Sequence, residues 1–93
     1  MYIVNDDRFG DAGAFESEAA FRAWVAEQYP DSPDVPADVD AGEADLVRHE
    51  DGYSVYRRDR TRPVGNGRYE PVVEYWAVAE DGEAWTWIDE EDY

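Results

Sequence analysis

The sequence has no cysteine and no lysine, one histidine, and a single methionine at its start. Without cysteine there is no disulfide framework and no thiolate zinc site. No apolar run approaches the roughly 20 residues that span a bilayer. Met1-Tyr2-Ile3-Val4 passes straight into Asn5-Asp6-Asp7, which is not the basic-then-apolar pattern of a secretory signal. The three serines (Ser17, Ser32 and Ser54) lie in no Gly-x-Ser-x-Gly context. There is no glycine-rich phosphate loop and no pair of histidines to ligate a metal. His49, beside Glu50 at a predicted turn, reads as a surface residue. These absences leave no sequence basis for an enzyme and none for a cofactor or metal. Asp38, Asp40, Glu43 and Asp45 are dense in carboxylate, but their spacing fails the calcium-loop pattern, so this stretch reads as solvated.

What is present is acid. The 93 residues carry 24 Asp and Glu against 8 basic residues, all arginine, for a net charge of −16. Leucine occurs once, at Leu46, and alanine and valine supply most of the aliphatic content. Apolar residues still make up 43% and aromatics 15%, enough for a core and against disorder. An acidic, lysine-free, Ala/Val-rich composition resembles that of proteins from salt-accumulating archaea and their viruses. The resemblance is one of composition, not of a family. It implies a high-salt cytoplasm or a virion as the setting. The physics agrees: self-repulsion of this size falls when molar salt shortens the screening length to about 3 Å.

The length predicts one domain over residues 1–93. The predicted fold class is α+β: one N-terminal helix (about 17–29) packed on a mainly antiparallel β-meander of four to five strands. Ser17 is the expected N-cap. Phe21, Trp24, Val25 and Tyr29 form one helical stripe, Phe15 is placed to fold back on Phe21, and Pro30 stops the helix. Strands are expected at 2–4, 44–49, 53–59, 69–79 and 84–89. Loops are expected at 5–14 and 60–67. Residues 30–43 read as an acidic, proline-rich linker without regular structure, and 90–93 as an acidic tail.

Two features point to binding. Residues 57–68 hold five arginines and one acid, net +4, in a chain that is otherwise acidic throughout. Arg57, Arg58, Arg60, Arg62 and Arg68 are therefore candidate contacts for an acidic partner, unless they neutralise the protein's own carboxylates. The second feature is aromatic content on both faces of the predicted sheet. Strand alternation puts Trp76 with Val72 and Val78, and Tyr75 on the opposite face with Val73 and Ala77. Trp85 and Trp87 share a face. One helix covers one face, so Tyr75, Trp76, Trp85 and Trp87 are candidate contacts for another protein or a second copy. The expected function is a small soluble protein–protein interaction module without catalytic activity. The alternative is a nucleic-acid-linked role, through the arginine hairpin or by acidic mimicry. No membrane partner is expected.

Overall fold

A computed structural model describes residues 1–6, 11–32 and 34–87, residues 11 and 12 by their backbone alone. Among these residues there are seven strands and one helix. In chain order they are β1 (Tyr2–Asp6), β2 (Asp11–Phe15), α1 (Glu18–Gln28), β3 (Val39–Glu43), β4 (Asp45–Glu50), β5 (Tyr53–Gly65), β6 (Arg68–Ala79) and β7 (Glu83–Trp87). The strands form one sheet in the order β3-β1-β2-β7-β6-β5-β4, with every pairing antiparallel. β4 to β7 are a meander, as expected, and the β1–β2 hairpin and β3 extend it.

The helix begins as its sequence dictates. Ser17 is extended and its hydroxyl accepts from the amide of Ala20 at 3.2 Å. Phe21 and Val25 are buried, and Trp24 and Tyr29 partly so, against Val4 of β1 and Val39 and Ala41 of β3. Phe15 reaches Phe21 with ring centroids 6.2 Å apart. The Tyr29 hydroxyl donates to the buried Asp6 carboxylate at 2.6 Å, tying the end of the helix to β1.

The sheet curls back on itself. β3 and β4 stand at opposite ends of the strand order yet are separated in the chain by Ala44 alone. The amide of Ala44 donates to the Met1 carbonyl at 2.8 Å, which carries the β1–β3 ladder into the corner. Ile3 of β1 and Trp76 of β6 share a core cluster with Ala44, Val78 and Ala84, although β2 and β7 lie between them in the sheet. The described residues thus form two cores. One fills the concave inside of the curl. The other lies between α1 and the outer face of β1–β3.

Four expectations need correction. Residues 5–14 contain strand: β1 continues to Asp6 and β2 covers 11–15, while 7–10 lie outside the described residues. The linker is not wholly irregular, because 39–43 form β3 on the free edge of β1. Residues 60–65 are strand rather than loop, and the turn shrinks to Asn66-Gly67. Both turn residues have positive φ, 55° and 73°, as a type I′ turn requires. Seven strands stand among the described residues, rather than four to five. The last strand is described over Glu83–Trp87, and its expected end at 88–89 and the expected tail at 90–93 lie outside the described residues.

β5 and β6 pair along their whole length, from Tyr53↔Ala79 to Gly65↔Arg68. β4 accompanies β5 only as far as Arg57, and described β7 accompanies β6 only from Tyr75. The rest is a two-stranded arm whose residues 61–69 are all exposed. Pro63 and Pro71 interrupt its backbone donors, which discourages edge-to-edge pairing.

Candidate functional site

The five arginines of residues 57–68 do not form one basic patch. Arg58 is 3% exposed. Its Nε and Nη2 donate to one oxygen of buried Glu74 at 3.2 and 2.9 Å, and its Nη1 donates to the Ile3 carbonyl at 2.9 Å. Its guanidinium lies 5.2 Å from the centre of the Trp76 ring, a cation–π distance. Nη2 also meets Asp40 of β3 at 3.4 Å. Arg60 spans the same two acids, donating to the other Glu74 oxygen at 3.2 Å and contacting Asp40. Arg57 pairs with Asp59 at 2.9 Å, and Arg62 pairs with Glu70 across the arm. Arg68, at the turn, has no ion pair among the described residues.

Four of the five charges therefore have intramolecular counter-charges. The acidic segment itself supplies one of them, Asp40. Arg58 and Arg60 staple β5 to β3 across the inside of the curl. Gly42 is what admits the staple: a Cβ there would lie 3.1 Å from Arg58 Cδ. A cleft of about 310 Å³ opens between β3 and β5, lined by Asp40, Gly42, Arg58, Arg60 and their neighbours. Its arginines already bond to its acids, so no bare cationic pocket is left for a phosphate. Asp40 takes part in this network, and no group of three or more metal-ligating side chains converges among the described residues.

The aromatic residues divide by strand parity. Trp76 is fully buried inside the curl, so neither it nor Arg58 is offered to a partner. Tyr75, Trp85 and Trp87 are on the opposite, convex face: Tyr75 is paired with Trp87, and Ala77 with Trp85. The Tyr75 and Trp87 rings stack at 6.5 Å and 23°. Trp85 is 50% exposed. Tyr53, across from Ala79, adds another exposed ring on this face. Val55 lies between Arg48 and Ala77 in register and is buried, although it belongs to neither core cluster. Its cover comes from this convex face. Arg48 and Arg57 stand on the face too, each with its own acid, Glu50 and Asp59.

The sequence placed Val73 on the same face as Tyr75 but did not mark it, Tyr53 or Tyr69 as candidate contacts. The signal was the alternation in β6, where Tyr69, Pro71, Val73, Tyr75, Ala77 and Ala79 are apolar at every second position. Treating 60–67 as a loop hid the arm that carries the stripe outward.

His49 Nδ1 and Ser54 Oγ are 2.9 Å apart as cross-strand neighbours. His49 is exposed and Ser54 half-buried on the β4–β5 strand surface. A second cleft, about 260 Å³, lies between α1 and the segment after it, lined by Arg22, Val25, Tyr29, Pro30 and Val35 among others. No helix among the described residues is long and apolar enough to cross a membrane. Comparison with protein-family models, with curated proteins and with solved structures returns no match to this chain.

Proposed function

We propose that the protein is a small interaction module that binds another protein chain through the convex aromatic face of β5–β7, without a catalytic step of its own. One observation carries the reading: α1 covers the outer face of β1–β3, while the outer face of β5–β7 presents Tyr53, Tyr75, Trp85 and Trp87 uncovered by the helix. Aromatic residues and arginine are enriched at interface centres, and Arg48 and Arg57 flank these rings. Nucleic-acid binding through the arginines is the weaker reading, because four of the five are engaged with the protein's own acids. The lysine-free, −16 composition supports a setting in molar salt.

Photocrosslinking tests the reading. A benzophenone amino acid is placed at position 85 and, as a control, at position 27 on the exposed side of α1. Protein adducts in host cells are expected from 85 and not from 27. If position 85 gives none, nor position 53 or 75, the face is not a binding surface.

A further inference from the structure

The apolar stripe of β6 is longer than the body of the sheet. Tyr69, Pro71, Val73, Tyr75, Ala77 and Ala79 share one face over about 34 Å at the strand rise of ~3.4 Å per residue. The first three stand on the arm, where β6 has only β5 beside it among the described residues. Tyr69 is 68% exposed and Trp85 50%. No acid interrupts this side of β6. Elsewhere acids dominate: Glu16, Glu18 and Glu27 on and before the helix, and Asp31, Asp34 and Asp38 after it, are all exposed. For a chain of net charge −16, this stripe is the surface on which a second, equally charged copy meets least repulsion.

We infer that the occupant of this face is a second copy of the chain, packed sheet on sheet about a twofold axis that passes at Val73. The inference rests on the proposed interaction face and names its partner. The order of side-chain sizes along β6 places the axis. With Val73 opposite Val73, Tyr69 of one copy sits over Ala77 of the other, and Pro71 over Tyr75. Each exposed Tyr69 ring then enters the low ground above Ala77, beside Trp85. A twofold at Tyr75 instead sets ring against ring and leaves Tyr69 beyond the partner's strand. Because the axis runs across the strands, β5 faces β5. Asp59 is in register with Val73, so the two Asp59 carboxylates meet near the axis, each with its own Arg57 beside it as counter-charge. β5 and β6, at about 4.8 Å spacing along the ~34 Å stripe, give a patch on the order of 330 Å² per copy. The total of about 650 Å² is the size of a weak, transient contact rather than of a stable interface. The dimer is accordingly reversible, and it strengthens as salt screens the acidic bodies.

The test is sedimentation of the full chain in molar KCl together with directed crosslinking. A dimer is expected at high micromolar concentration, with a dissociation constant that falls as KCl rises. Tyr69→Ala should raise that constant by about tenfold or more, as loss of a buried aromatic anchor does, while leaving the far-UV circular dichroism unchanged. The chain has no cysteine, so Val73→Cys introduces a single thiol. A short bismaleimide that spans the ~10 Å between packed sheets should join two copies through position 73. It should not join them through Glu27→Cys. A chain that is monomeric at every salt concentration overturns the inference, and so does a dimer that crosslinks through 27 but not 73. A monomer whose position 85 still captures a different protein overturns the second copy as occupant but leaves the interaction face standing. A monomer without any capture removes both.

Discussion

Glu74 and Arg58 show what one residue position can carry. They are directly paired across β5 and β6, both are buried, and each is the other's principal counter-charge. Removing one partner of such a pair leaves an uncompensated buried charge, which costs about 3–5 kcal/mol. Glu74→Ala is therefore expected to unfold the protein at markedly lower denaturant or temperature. Arg62→Ala, which breaks the exposed Arg62–Glu70 pair, should cost about 0–1 kcal/mol. Arg60→Ala should fall between them, at about 1.5–3 kcal/mol, because it removes charge-assisted hydrogen bonds to Glu74 and Asp40. Thermal melts of the three variants decide the order. If all three melt together with the parent protein, the buried staple does not stabilise the fold. Gly42 belongs to the same account. A Cβ there must displace the Arg58 side chain, so Gly42→Ala should destabilise although its neighbour is a flexible side chain.

At the scale of elements, α1 and the β5–β6 arm are held together in opposite ways. The helix has a local start signal and a buried stripe. Ser17→Ala deletes the acceptor for the Ala20 amide and should cost about 1 kcal/mol. Loss of helical circular dichroism on mild heating, restored by Ser17→Asp, is the expected signature. A helix that is retained with Asp at position 17 but weakened with Ala separates capping from a general effect of mutation. The arm has no core beneath residues 61–69. Its form depends on the tight Asn66-Gly67 turn and on the continuation of the β5–β6 ladder from the body. An isolated two-stranded hairpin is marginal in water, which is consistent with an arm that gains by lying on a second molecule.

At the scale of the whole molecule, charge governs the conditions in which the fold is stable. A net charge of −16 on 93 residues opposes compaction in dilute buffer. Raising ionic strength from about 0.1 M to 1 M shortens the screening length from about 10 Å to about 3 Å and removes most of that repulsion. The exposed ion pairs weaken as well, but each contributes little. The buried Arg58–Glu74 pair is shielded from the ions. The melting temperature is therefore expected to rise from low to molar KCl. A melting temperature that is flat or falls with KCl counts against a protein built for high salt.

The helix, its cap and the meander from β4 to β7 were legible in the sequence, because their causes are local. A cap, a 3.6-residue stripe and alternating apolar residues between glycine turns act within a dozen residues. The charge, and with it the expected salt dependence, is likewise a property of composition. β2 and β3 were not legible. Gly13 and Gly42 stand inside them, and aspartates surround Val39 and Ala41, so neither reads as a strand by itself. They are strands because β1 offers two edges and α1 needs a floor. The roles of the arginines were also decided in three dimensions. The sequence set five of them close together, and strand parity then sent Arg58 and Arg60 inward to Glu74 and Asp40 and turned Arg57 to the convex face. That choice depends on the corner at Ala44, which brings β3 over β5. It is a long-range closure, and nothing in the residues around position 58 encodes it.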